Sequence, residues 1–158
     1  MKIGIIIYSH TGNTLHVAKS LCDTLNLKGY DCYLDEIKAE NEDPNIKNPK
    51  LTTNPSVAYY DVLVFATPVR AFMISPIMQT YLKQIGSLSQ KPVFLFVTHH
   101  FPFAWMGGRT TLAAMSKLVK DKQGKILDSY VIDWSNKKRK QQIDQLVSHV
   151  SQRIVEIQ

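Results

Sequence analysis

The stretch that decides the fold is "KIGIIIYSHTGNTLHVAKSLCDTL", residues 2–25. Its first part, Lys2–Tyr8, is almost continuously apolar, which is typical of a β-strand buried on both faces. Its last part repeats apolar residues at helical spacing: Leu15, Ala18, Leu21, Cys22 and Leu25. A polar loop, Ser9–Thr14, lies between them. A buried strand, a polar loop and an amphipathic helix predict the start of an α/β domain with a parallel sheet.

The same alternation continues along the chain. A second helical pattern starts near Ser75 and Pro76 and ends at Gly86. A third covers Leu112–Val119, and a fourth runs from Ile143 to Ile157. The polar stretch 38–56 shows no helical period, so we expect irregular surface or one short helix there. The chain of 158 residues suits one domain, 1–158. Five strands are predicted: Lys2–Tyr8, Asp31–Ile37, Asp61–Thr67, Pro92–Thr98 and Lys125–Trp134.

The first, third and fourth predicted strands are the most apolar, so we expect them in the middle of the sheet. In open parallel sheets, ligands bind beyond the carboxyl ends of the strands, where the winding changes direction. Three loops therefore matter for function: Ser9–Thr14, Pro68–Ser75 and His99–Arg109, referred to below as the first, second and third loops.

The first loop, "SHTGNT", predicts a phosphate site. Backbone N–H groups at a helix start and three hydroxyls can hold a phosphate without a lysine or arginine. A Walker loop would need Gly-Lys-Ser/Thr, and a cysteine-based phosphatase would need a Cys and an Arg here. The simpler alternative is that one hydroxyl only caps the helix.

These features resemble the flavodoxin family. "SHTGNT" resembles its FMN phosphate loop, while "TPVRAFMISPIM" (67–78) and "THHFPFAWMGGRTTLAAM" (98–115) are similar to the flavin loops of flavodoxin-like NAD(P)H:quinone reductases. The resemblance implies a three-layer α/β/α sandwich with a five-stranded parallel sheet in the order 2-1-3-4-5, and one non-covalent FMN. The implied FMN-binding residues are Ser9, His10, Thr11, Gly12, Asn13, Thr14, Pro68, Val69, Arg70, Ala71, Phe72, Thr98, His99, His100, Phe101, Gly107 and Gly108.

Several residues of these loops allow more than one role. Arg70 would stabilise an anionic reduced flavin if it points at the ring, or is surface charge if it points outward. His100 could donate a proton to a quinone, or only hydrogen-bond within its loop. Relatives carry Gly or Asn where this chain has Phe72 and Met73, two residues that do not readily adopt positive φ. Phe72, Phe101, Phe103 and Trp105 are candidate walls for a flavin ring.

Composition restricts the other function classes. The net charge is +6, and the cationic cluster "KKRK" (137–140) is either a solvated helix face or a docking site for a partner. Cys22 and Cys32 have no metal-ligand spacing and are expected to be buried thiols; no metal, nucleic-acid or membrane partner is expected. The opening segment is too short for a signal peptide, so a cytoplasmic location is expected.

Two main functions fit these residues. The first is an electron-transfer flavoprotein that shuttles electrons between redox partner proteins, with acidic partners expected because this chain is basic. The second is an FMN-dependent oxidoreductase that uses NAD(P)H and a quinone. A third hypothesis is a flavodoxin-like module that binds a partner without FMN. The sequence leaves the oligomeric state open.

Overall fold

A computed structural model describes residues 1–100 and 106–158 of the protein. The elements in chain order are β1 (Lys2–Ile7), α1 (Asn13–Leu27), β2 (Asp31–Glu36), β3 (Lys38–Ala39), β4 (Leu51–Thr53), β5 (Val62–Arg70), β6 (Met73–Ile74), α2 (Pro76–Gln84), β7 (Pro92–His99), α3 (Gly108–Asp121), β8 (Lys125–Asp133) and α4 (Arg139–Glu156).

The main sheet has the strand order β2-β1-β5-β7-β8, and these neighbours all pair in parallel. These five strands are the five predicted from the sequence, so the predicted order 2-1-3-4-5 is confirmed. One hydrophobic cluster joins the sheet to α1 and α4, and a second joins it to α2 and α3. The chain therefore forms the predicted three-layer α/β/α sandwich.

The two clusters explain why the central strands are apolar throughout. Side chains alternate between the faces of a strand. On β1, Ile3, Ile5 and Ile7 belong to the cluster of α1 and α4, while Ile6 belongs to that of α2 and α3. A strand with helices on both sides has no face left for polar residues.

The polar stretch between β2 and β5 contains a small antiparallel sheet of β3 and β4. Of the two alternatives, the short helix is therefore wrong, and apart from these two short strands the stretch is irregular, as the other alternative expects. Two hydrogen bonds anchor the segment to the body of the protein. The Tyr81 hydroxyl donates to the carbonyl of Pro55 at 2.7 Å, and the Lys91 ammonium donates to the carbonyl of Val57 at 2.9 Å. Strands of two and three residues are too short to show a hydrophobic period.

The predicted helix boundaries agree closely with the structure. Ser75 is the N-cap of α2, since its hydroxyl accepts a hydrogen bond from the backbone N–H of Met78 at 3.1 Å, and Pro76 is the first helical residue. The helix ends at Gln84, two residues before Gly86, because the backbone at Ile85 is already extended.

Within the described part of the chain, none of the helices combines the length and the apolarity needed to cross a bilayer.

Candidate functional site

The register of the sheet brings the three loops to one edge. Ile7 pairs with Ala66 and Pro68 pairs with Thr98, so β1, β5 and β7 all end at about the same level. Two side-chain contacts then join the first loop to the third. The hydroxyls of Thr14 and Thr98 are 2.8 Å apart, and the amide nitrogen of Asn13 lies 3.1 Å from Nε2 of His100.

The first loop leads into α1 without an ordinary cap. The N-cap is Gly12, whose φ of +92° is left-handed and whose position offers no side-chain oxygen. The Ser9 hydroxyl accepts a hydrogen bond from the backbone N–H of Leu15 at 3.3 Å. The backbone N–H groups of Asn13 and Thr14 have no partner among the described residues. They lie at the positive end of the helix, where an anion is stabilised.

The three hydroxyls of the first loop have different surroundings. Thr14 is buried, and its hydroxyl is held by Thr98. Ser9 is partly buried and supports the first turn of the helix, whereas Thr11 is exposed, as is His10. The His10 ring lies 3.5 Å from a Glu42 carboxylate oxygen. Thr11 and Ser9 are therefore the hydroxyls that remain available to a ligand at this helix start.

The second loop is a tight hairpin between β5 and β6, in which Arg70 pairs with Met73. The two residues of its turn, Ala71 and Phe72, have φ values of +48° and +62°. The expectation that Phe72 avoids positive φ is therefore wrong, while Met73 lies in a strand. Positive φ at both turn positions is typical of a type I′ turn, whose backbone matches the twist of the strands in a two-residue hairpin. The non-glycine residues there carry strain of about 1–3 kcal/mol each.

The base of the second loop is closed by side chains. The hydroxyls of Thr67 and Ser75 are 2.8 Å apart, and both residues are buried. The tip is exposed, with 52% of Phe72 and 58% of Met73 accessible. Pro68 and Val69 are only partly buried. An exposed apolar tip on a fixed base can offer a flat surface to a planar ligand.

Arg70 is fixed by Tyr8, the residue that directly follows β1. Its guanidinium donates to the Tyr8 hydroxyl at 3.1 Å, which joins the second loop to the first. Burial raises the pKa of the Tyr8 phenol above its ordinary value of 10, with a smaller contribution from Glu42. The phenol is therefore neutral at physiological pH and does not compensate the positive charge of Arg70.

The third loop begins with a buried histidine. His99 is 3% exposed and pairs in register with Asp133 of β8, which is 4% exposed. Burial lowers the pKa of His99 below its ordinary value of 6.5, although the Asp133 carboxylate opposes this shift. The His99 ring is therefore neutral at physiological pH.

The end of the third loop packs directly on the second. Gly107 has a φ of +96°, and a Cβ added there would lie 2.8 Å from the Cα of Phe72 and from a methyl of Val69. Gly107 is also the N-cap of α3, with no side-chain cap, and Gly108 starts that helix against Val131. Phe101, Phe103 and Trp105, three of the candidate flavin walls, lie outside the described residues.

The sequence analysis missed two residues of this edge. Tyr8 was assigned only to a strand, yet its hydroxyl holds Arg70. Asp133 was also treated as strand, yet one carboxylate oxygen accepts hydrogen bonds from the backbone N–H and the hydroxyl of Ser135, at 3.1 and 2.8 Å. A signal existed for both, because a polar side chain at the end of an apolar parallel strand lies at the ligand-binding edge.

The remaining chemical groups are set apart from this site. Cys22 and Cys32 are free and buried, as predicted, on α1 and near the start of β2. Within residues 1–100 and 106–158, no group of His, Cys, Asp and Glu side chains could hold a metal ion.

Comparison of the sequence with protein-family models and with curated proteins gives no match. Solved structures do match. Flavodoxin 2 from Bacillus cereus is 12% identical with a TM-score of 0.66, covering 97% of this chain and 99% of its own. The Streptococcus pneumoniae TIGR4 flavodoxin is 13% identical with a TM-score of 0.64, covering 97% and 99%.

A third match is a flavoprotein from Lactobacillus acidophilus NCFM, solved in complex with FMN. It is 17% identical with a TM-score of 0.61, covering 89% of this chain and 97% of its own. At such low identity the similarity concerns the fold, and it covers nearly the whole of each chain. The protein has a flavodoxin-like fold.

Proposed function

We propose that the protein binds FMN without a covalent bond and carries electrons between redox partners. The observation that carries this proposal is the start of α1. Its backbone N–H groups at Asn13 and Thr14 have no partner among the described residues, and the hydroxyls of Ser9 and Thr11 lie beside them. A phosphate monoester fits this donor set without a lysine or arginine. The flavoprotein from Lactobacillus acidophilus with a similar fold was solved with FMN.

The flavin ring is proposed to lie between the second loop and the third. Bound FMN would supply reversible electron transfer, which no amino-acid side chain here provides. The protein's own residues would hold and orient the ring. Gly107 approaches Phe72 closely and so fixes the tip of the hairpin beside it. The guanidinium of Arg70, held by Tyr8, keeps a permanent positive charge near this edge.

The His residues of the third loop have separate roles in this proposal. His100 joins the loop to Asn13, which supports a hydrogen-bonding role within the loops over a proton-donor role. His99 stays neutral because burial lowers its pKa, so it adds no charge at this edge of the sheet.

FMN and riboflavin, measured side by side, test the phosphate site. The wild-type protein should quench FMN fluorescence and bind FMN far more tightly than riboflavin, which lacks the phosphate. Replacing Ser9 and Thr11 together by Ala should weaken FMN binding by at least about 100-fold, since each hydrogen bond to a charged group is worth about 1.5–3 kcal/mol. Riboflavin affinity should not change. Equal affinity for FMN and riboflavin would contradict the site, and no binding of either would favour the FMN-free docking module.

An acidic protein is the partner that the charge distribution supports. Lys137, Lys138 and Lys140 are exposed and form no ion pair within the described parts of the chain. They follow the carboxyl end of β8, so they share the sheet edge of the three loops. Arg139 lies over the Trp134 ring at 4.6 Å and donates to its carbonyl at 2.7 Å.

Two acidic side chains on the other side of the sheet, Glu36 and Glu40, already have cationic partners. Glu36 pairs with Lys38 at 3.1 Å, and Glu40 pairs with Lys50 at 3.2 Å. Lys137, Lys138 and Lys140 therefore form an unpaired cationic cluster among the described residues at the start of α4, where the helix dipole disfavours cations. Electron transfer to an acidic redox protein should slow with rising salt, and more steeply for wild type than for a variant with Lys137, Lys138 and Lys140 replaced by Gln.

The alternative function is an FMN-dependent NAD(P)H:quinone oxidoreductase. Its support is the start of α3, where Gly107 and Gly108 open a second helix at the same edge without a side-chain cap. Rapid mixing of the FMN-loaded protein with NADPH separates the two functions. A carrier should leave the flavin absorbance unchanged over the time in which an enzyme would bleach it. Bleaching within seconds would replace the carrier by the enzyme.

A further inference from the structure

A groove lies beside the second loop, on the side of the segment between β3 and β4. It has a volume of about 430 Å³, within the range of roughly 300–1,000 Å³ typical of small-molecule sites. Three parts of the chain form its walls: residues 44–48, the hairpin from Arg70 to Ile74, and the outer face of α2 that carries Pro76, Gln79 and Lys83. The groove adjoins the proposed flavin site through Arg70 and Ala71 only.

The walls of this groove combine apolar surface with positive charge. Ile46, Met73 and Ile74 provide apolar side chains, and Met73 is more than half exposed. Lys47, Arg70 and Lys83 provide three cations. The exposed Met73 and the partly buried Ile46 gain free energy when an apolar body covers them.

The cations have no anionic partner within the described structure. No Asp or Glu is among the lining residues, and neither lysine takes part in an ion pair among residues 1–100 and 106–158. Among the described residues, the guanidinium of Arg70 donates to the neutral Tyr8 hydroxyl and to no carboxylate. Of the two nearest acids along the chain, Asp43 accepts hydrogen bonds from Asn45 that shape the turn. Glu42 lies 3.5 Å from His10 and is also close enough to Tyr8 to raise the pKa of its phenol, but it does not line the groove.

We propose that this groove binds a small molecule with a planar apolar body and one anionic group, a carboxylate, sulfonate or phosphate. The apolar body contacts Ile46 and Met73, and the anion lies among Lys47, Arg70 and Lys83. Lys47 and Lys83 are no part of the three loops, whereas Arg70 is shared between the groove and the proposed flavin site. A ligand bound here would lie next to the hairpin that is proposed to hold the flavin.

The test uses 2-naphthoate as the probe and its neutral analogue 2-naphthamide as the matched control. Both are titrated into the full-length protein with saturating FMN, and binding is followed by saturation-transfer NMR on the probe and by calorimetry. The wild-type protein should bind naphthoate roughly ten-fold more tightly than naphthamide, since each partly exposed cation contributes a modest attraction. The preference should shrink as salt is raised.

Two double variants assign the binding to the groove. Lys47→Gln with Lys83→Gln should weaken naphthoate binding by roughly five-fold and leave naphthamide unchanged. Lys19→Gln with Lys117→Gln, two exposed helix lysines outside the groove, should change neither probe. Equal binding of the two probes, or equal effects of the two double variants, would overturn the proposal. FMN affinity, measured on the same samples, reports separately on the flavin site.

Discussion

Replacing Gly107 by Ala tests how the second and third loops are held together. The added Cβ would lie 2.8 Å from the Cα of Phe72 and from a Val69 methyl, and 2.9 Å from the carbonyl carbon of Phe72. Two of these three atoms are backbone, so the hairpin itself must move. Overpacking of this kind costs about 1–3 kcal/mol. The left-handed backbone at +96° adds about 1–2 kcal/mol, so we expect a loss of roughly 2–5 kcal/mol in the free energy of unfolding.

Gly29→Ala is the matched control for this change. Gly29 has nearly the same backbone angle, φ +89°, but nothing lies within 4 Å of its added Cβ. It should therefore lose only the backbone strain, about 1–2 kcal/mol. Urea unfolding of the two variants, followed by circular dichroism, gives both free energies. If Gly107→Ala costs no more than Gly29→Ala, the loops do not touch as the structure has them, and the steric reasoning fails.

Three further changes test the hydrogen bonds and charges of this edge. Thr14→Val should cost about 1–3 kcal/mol because it leaves the buried Thr98 hydroxyl without its partner, and a second substitution, Thr98→Val, should restore part of that loss in urea unfolding. Since burial lowers the pKa of His99 in the folded state, the unfolded chain takes up this proton first as the pH falls below 6.5. The free energy of unfolding should therefore decline below that pH by at most about 1.4 kcal/mol per pH unit, and His99→Gln should remove this part of the slope in unfolding measured from pH 8 to 5. Tyr81→Phe, which removes the hydrogen bond to Pro55, should cost about 1 kcal/mol and speed limited proteolysis within residues 38–56; unchanged cleavage would show that this bond does not anchor the segment.

The central position of β1, β5 and β7 was predictable because burial leaves a strong signal, whereas the full strand order was implied by the resemblance to the flavodoxin family. Strands covered by helices on both sides must be apolar at every position, and β1, β5 and β7 have that pattern. The start of α2 was also predictable, because Ser75 and Pro76 act through local chemistry. Such features depend only on residues that are neighbours in sequence or on burial as a whole.

The parts that could not be predicted depend on pairing between distant residues. The positive φ of Phe72 is imposed by the pairing of β5 with β6, against the preference of the residue itself. The contact between Tyr8 and Arg70 joins residues far apart in the chain. The strands β3 and β4 are shorter than any hydrophobic period, so only their mutual hydrogen bonds define them.

The helix-free segment between β2 and β5 also has a consequence for the dynamics of the protein. Its order depends on contacts with distant partners such as Tyr81 and Lys91, since it has no helical hydrogen bonds of its own among its described residues. Segments of this kind open at a lower free energy than the core. We therefore expect residues 38–56 to exchange their amide hydrogens sooner than the central strands. Ile46 and Lys47 lie on this segment, so each opening would remove one wall of the groove. The occupancy of any groove ligand would then depend on the fraction of time for which the segment is closed.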